Sequence, residues 1–293
     1  MKAIKRKKFL SLDFWKRLWK VRAGEPFLYN LLSIWVYFLG DFSAKVDYDL
    51  LITRPEYGFG IKHAFEIAAK EGISKVILIE FGCAAGQGLY TMLEIASNLR
   101  RKYKIDFEIV GFDSGIGMPQ PKDYRDHPEM YRTGDFPPEN LDYNNLPKKI
   151  TIKLGNIKST VNEFLNSKLY IDYKIAFVAI DVDYYTSTLD CFDLFISNKN
   201  RYLSKVVVHF DDIKDLDHNE YCGELLAIKE FNTKDFPRKL CKMNLLKSQR
   251  YFKNAPYLDL MYYCHIFDHE RRSPSFWIDN DIQLMGKNPF IKD

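Results

Sequence analysis

The 293 residues hold only five cysteines (Cys83, Cys191, Cys222, Cys241 and Cys264), odd in number, widely spaced and without a Cys-x-x-Cys pair. That excludes a secreted disulfide framework and a cysteine-built structural zinc site, and predicts a reducing, cytoplasmic setting. Long apolar runs are missing too. The longest, Phe27 to Leu39, falls short of the about 20 residues that cross a bilayer. The first residues do not read as a signal peptide, because Asp13, Lys16, Arg17 and Lys20 interrupt the apolar positions. Neither an internal repeat nor a low-complexity linker is present. An excess of one charge is also lacking on the main body. The net charge is +4, but residues 1–22 carry nine Lys/Arg against one Asp, which leaves 34 basic and 38 acidic residues for the rest. A body without a basic face argues against a nucleic-acid partner.

What is present is a folded, aromatic-rich chain. Hydrophobic residues make up 46% and aromatics 15%, too much for a disordered protein. The length suits one large α/β domain with an extension. Residues 1–54 read as a helical extension that docks, oligomerises or acts as a lid, with Phe14, Trp15, Leu18 and Trp19 at helical spacing among Lys and Arg. Docking on the body or on a second copy in a homo-oligomer is favoured over peripheral contact with a membrane surface, which such a helix could also make.

From about Tyr57 onward, strand-like and helical patterns alternate through residues 55–293. An amphipathic helix around Ile61–Ala68 precedes an apolar strand, Val76–Ile79. A helix over Gly88–Arg100 follows, then a second strand, Phe107–Phe112. A long polar loop covers about Gly115 to Pro147. Ile150–Leu154 is a third strand with a helix from Thr160, and Ile175–Ile180 and Val206–Phe210 are the fourth and fifth. A helix around Glu224–Phe231 leads to two late runs, Leu240–Leu246 and Leu258–Phe267, that suit an antiparallel pair. The expected fold is α/β, Rossmann-like and doubly wound, with a mostly parallel seven-stranded sheet, an antiparallel terminal strand and a helical N-terminal extension.

The chemistry gathers at the strand ends. The first strand runs into Glu80-Phe81-Gly82-Cys83-Ala84-Ala85-Gly86-Gln87-Gly88, the second into Asp113-Ser114, the fourth into Asp181-Val182-Asp183 and the fifth into Asp211-Asp212. In open α/β sheets, ligands bind beyond the carboxyl ends of the strands, so these segments can share one rim. A glycine turn entering a helix offers free amides to an anion, and an acidic residue after the second strand can accept ribose hydroxyls. The glycine spacing fits NAD poorly, since Ala84 stands where the second glycine of that turn would be. Tyr170 and Lys174 form a Tyr-x-x-x-Lys pair, but just before a strand, and read as coincidence. Asp181, Asp183, Asp211 and Asp212 crowd like charges that a divalent cation would balance, with Mg²⁺ or Mn²⁺ the chemical match.

Glu80-x-Gly82-x-x-x-Gly86, Gly111-Phe112-Asp113-Ser114 with Gly117-Met118-Pro119, Gly155-Asn156-x-x-x-Thr160, Asp181-x-Asp183-x-Tyr185-x-Ser187-Thr188 and Asp211-Asp212 occur in a familiar order. In these motifs, over about residues 55–265, the chain resembles class I S-adenosylmethionine-dependent methyltransferases, and more narrowly the macrocin and novobiocin-type sugar O-methyltransferases. The resemblance implies a methyltransferase domain over 55–293 that methylates a hydroxyl of a sugar or glycoconjugate. It implies S-adenosylmethionine held by Glu80, Gly82 and Asp113 with Asn156 near the adenine, and Cys83, Gly86, Ser114 and Asp181 in the same cofactor set. It matches Asp181, Asp211 and Asp212 to metal ligands and Asp183 to a general base, with His209 a second candidate for that role. His209 reads equally as an inward-facing strand residue, the favoured alternative. Two departures stand out: Asn200-Arg201-Tyr202 replaces a glycine pair before the fifth strand, and Tyr184 stands where relatives can place Lys or His. The polar loop, with Tyr124, Arg125, Asp126, His127 and Tyr131, is expected to close over the acceptor. An NAD-dependent oxidoreductase and a non-catalytic cofactor-binding module are the alternatives.

Overall fold

The computed structural model describes residues 22–51, 53–137, 143–214 and 219–279. Seven strands form one sheet: β1 (Lys75–Phe81), β2 (Asp106–Asp113), β3 (Ile150–Leu154), β4 (Lys174–Ile180), β5 (Tyr202–Phe210), β6 (Arg238–Lys242) and β7 (Met261–Ile266). Their order is β3-β2-β1-β4-β5-β7-β6. β1 to β5 pair in parallel, while β7 runs antiparallel to both β5 and β6. The late pair is thus the expected hairpin, folded back so that the last strand in sequence sits inside the edge.

The central strands are nearly all apolar because helices cover both faces, the pattern that parallel sheets require. Helices α1 (Phe27–Leu39) and α2 (Phe42–Asp47) form the described part of the extension. The next, α3 (Pro55–Lys70) and α4 (Gln87–Tyr103), pack on the face that presents Val76 and Leu78. On the other face, α5 (Ile157–Asn166), α6 (Tyr185–Phe192) and α7 (Gly223–Thr233) bury Val161, Phe164, Phe192 and Phe231 against Ile77, Ile79 and Phe81. Leu89, Met92, Ile95, Ala96 and Leu99 give α4 its buried stripe at helical spacing. Its last turn carries Arg100, Arg101 and Lys102, favourable at the negative end of the helix dipole.

Helix α5 begins at Ile157, earlier than Thr160, because the side chain of Asn156 accepts the Ser159 amide as an N-cap. The aromatic run Phe14–Trp19 lies outside the described residues. The described part of the extension is tied to the body by charged groups. The Arg22 guanidinium lies 3.4 Å from the centre of the Phe252 ring, Glu25 accepts the Lys253 and Asn254 amides, and Asp49 accepts from Arg250 at 2.6 Å and Tyr257 at 2.7 Å.

Because the chain builds β1, then β2 and β3 on one side, and crosses back to β4, the connections diverge between β1 and β4. A crevice opens beyond the carboxyl ends of strands at such a point.

Candidate active site

A cleft of about 620 Å³ occupies this position, a volume usual for small-molecule sites. Its wall takes Gly82, Cys83, Ala84 and Ala85 from beyond β1, Asp113 and Ser114 from β2, and Ile157 from the start of α5. Asp181, Val182 and Asp183 come from β4, and Asp211 and Asp212 from β5. Met118, Met130, Tyr131, Asp135 and Phe136 of the polar loop form the facing side.

The glycine turn is shaped by backbone contact. Gly82 has φ of +78°, and a Cβ there would stand 1.7 Å from the Asp181 carbonyl oxygen. The β1 and β4 ends therefore approach through a position only glycine fills without strain. Gly86, at φ +74°, serves as the N-cap of α4 with no side-chain partner. The turn's amides are not all free, however. One Asp113 oxygen accepts Cys83 N at 2.8 Å and Ala84 N at 2.9 Å, and the other accepts Gly115 N at 2.7 Å. A carboxylate has about four acceptor positions, so Asp113 can take one ribose hydroxyl without disturbing the turn. Ser114 donates to the Gly117 carbonyl at 2.7 Å and fixes the following loop.

Glu80 does not line the cleft. It is buried under the turn, where it accepts the Tyr57 hydroxyl at 2.5 Å. Burial pushes its carboxyl up to about 8, against the opposing pull of Arg54 and Tyr57. Asn156 is likewise not part of the cleft wall, since its side chain serves the α5 cap.

Asp181, Asp211 and Asp212 each offer an oxygen within 4.8 Å of the others. Burial, and then the Asp211 charge, pushes Asp181 up to about 7. Asp212 is also raised, by burial and then by Asp183 and Asp181. It accepts the Asp183 amide at 2.9 Å, and its own amide donates to Glu224 at 3.2 Å. Asp211 departs from this pattern: burial would raise it, but Lys214, His209 and Arg54 together hold it below the ordinary range. Asp183 has φ of +57°, a conformation Asp tolerates better than most residues.

His209 is buried in β5, 3.9 Å from Asp211, with its ring edge against Tyr57. Burial pulls it down to about 4, so it is neutral near pH 7, and it does not line the cleft. The inward-facing reading fits that position. In the polar loop, Tyr131 reaches the cleft, while Asp126 is buried and accepts from the Thr186 amide and hydroxyl. Arg125 donates to the Tyr185 hydroxyl at 3.2 Å, so Asp126 and Arg125 pin the loop to α6, while His127 is buried and pairs with Glu129 within the loop. Tyr170 and Lys174 lie elsewhere; their side chains bond Thr151 and the Asn200 carbonyl.

No protein-family model and no curated protein matches the chain. Among the solved structures similar to it, two match over 86% of its length. The calicheamicin methyltransferase CalS11 is covered to 91% at 17% identity with a TM-score of 0.49. An apo structure of CalS11, described as a TDP-rhamnose 3'-O-methyltransferase of calicheamicin biosynthesis, is covered to 93% at 17% identity with a TM-score of 0.42.

Two cations escaped the sequence reading. Arg54 stands 3.6 Å from Asp181 and donates to Tyr57 at 2.9 Å, which extends a chain of contacts to Glu80. Lys214 stands 2.5 Å from Asp211. Both line the cleft. The signal for Lys214 was its place three residues after Asp211; Arg54, just before Pro55, left no motif.

Proposed function

We propose that the protein is an S-adenosylmethionine-dependent O-methyltransferase that acts on a hydroxyl of a sugar or similar polyol, with Mg²⁺ or Mn²⁺ at the carboxylates. The observation that carries this reading is one cleft lined by the glycine turn, Asp113 and the acidic ends of β4 and β5. In sequence these segments follow the methyltransferase motifs named above.

The donor set suits a hard divalent cation, because three carboxylates converge and take oxygen ligation. Arg54 pairs with Asp181 and Lys214 with Asp211, so the ion would compete with these two cations for the cluster. Bound there, the ion would lower the pKa of an acceptor hydroxyl, and S-adenosylmethionine would supply the methyl group. Asp183, which lines the cleft beside the cluster, would take the hydroxyl proton. Met118, Met130, Tyr131 and Phe136 give the facing wall apolar surface that limits water, and the fixed turn orients the donor for in-line attack.

A metal-free form of the same reaction is favoured by the two ion pairs, since Lys214 and Arg54 already neutralise part of the cluster. Chelation separates the forms. Turnover should vanish after exhaustive chelation and return with Mg²⁺ or Mn²⁺, and Mn²⁺ binding followed by electron paramagnetic resonance should weaken in Asp181→Asn. Full turnover with no metal in the protein would leave the neutralising role to Lys214 and Arg54.

A further inference from the structure

Helix α1 faces the wrong way for a protein in water. It has no charged residue and no buried residue along Phe27–Leu39. A surface helix normally turns its apolar stripe inward and its polar residues out. Here the side towards the body carries the hydrogen-bonding groups. Asn30 donates to the Arg22 and Glu25 carbonyls, Tyr29 packs on Tyr251 and Phe252, and Ser33 is half-buried. Phe27, Leu28, Leu31, Ile34, Trp35 and Phe38 point outward, with Phe27 76%, Trp35 68% and Phe38 74% exposed.

A contiguous apolar surface of this kind marks an interaction site. Its neighbour in the chain indicates the partner. Residues 1–21, a few positions ahead of the helix in the chain, carry eight Lys/Arg and one Asp. An uncharged apolar face that follows a strongly basic segment in the sequence complements a surface that is apolar within and anionic at its boundary. A second copy of the chain would answer the apolar face but leave the basic segment without an anionic complement. The helix, at about 1.5 Å per residue, is near 20 Å long and too short to span. No helix among the described residues is long and apolar enough to cross a membrane. Trp and Phe are the side chains that suit the headgroup boundary of an in-plane helix.

We propose that α1 is a membrane-surface helix that lies in the plane of an anionic bilayer, held by its outward apolar face and by the basic charge of residues 1–21. The proposal is independent of the reaction in the cleft. The test is co-sedimentation of the full-length protein with phosphatidylcholine vesicles, with and without phosphatidylserine, at low and high salt. Binding should need phosphatidylserine, weaken with salt, and fall by about tenfold for each of Trp35→Ser and Phe38→Ser and further in the double variant that combines them. Neither change touches the core, so the thermal melt should stay as it is. Three results would overturn the proposal. They are no sedimentation with phosphatidylserine vesicles, equal sedimentation of the double variant, or a lipid-free oligomer that the double variant breaks apart. The last would assign the face to a second copy.

Discussion

Asp183 and Glu80 are both acids at strand ends, yet their surroundings set them to different work. Asp183 lines the cleft beside the carboxylate cluster. As the proton acceptor, Asp183→Asn should lower turnover by roughly 10²–10⁴-fold while S-adenosylmethionine and Mn²⁺ affinities stay unchanged; a variant with full turnover would move the base elsewhere. Glu80 is buried beneath the turn and is raised to about 8 chiefly by that burial. A carboxyl raised in the folded state binds more protons there than in the unfolded chain. Its stability contribution is therefore full below its ordinary value and is lost as pH rises towards about 8. Glu80→Gln keeps the shape and the acceptor for Tyr57 without titrating. Its melting temperature should fall less than the wild type's between about pH 6 and pH 9, and parallel curves would contradict the burial argument.

At the scale of elements, β1 and β4 meet through Gly82, whose missing Cβ lets the Asp181 carbonyl approach. Gly82→Ala should cost more than about 2 kcal/mol in urea unfolding, from left-handed strain and backbone collision together. An unchanged midpoint would mean the turn has room to relax. The strands were legible in the sequence because β1, β4 and β5 are buried on both faces and so read as unbroken apolar runs that end in acids. The hairpin of β6 and β7 was legible too, but not the insertion of β7 beside β5, which depends on long-range pairing. The start of α5 was placed late because its cap, Asn156, is a local contact that the resemblance had assigned to the adenine. Arg54 was missed because it meets Asp181 from a distant part of the chain, where no spacing rule reaches, whereas the i,i+3 spacing of Lys214 to Asp211 was visible but not read. The apolar run of α1 was visible, but its outward orientation follows from tertiary contacts of Asn30 and Tyr29.

The fold is organised around the crossing of the chain between β1 and β4, where one cleft gathers the ends of β1, β2, β4 and β5 with Ile157 at the start of α5. The central claim is that this cleft takes S-adenosylmethionine, with Asp113 fixed at its wall by the Cys83, Ala84 and Gly115 amides. Asp113→Ala removes both a hydroxyl acceptor and the clasp on the glycine turn. The loss of a charged hydrogen bond alone should weaken cofactor binding by about 1.5–3 kcal/mol. Titration calorimetry of the full-length protein with S-adenosylmethionine, and in parallel with NAD, measures this without knowledge of the acceptor. The account predicts saturable binding of S-adenosylmethionine at one site per chain, none of NAD, and the stated loss in a folded Asp113→Ala variant. Binding of NAD but not of S-adenosylmethionine, or an Asp113→Ala variant of undiminished affinity, would contradict it.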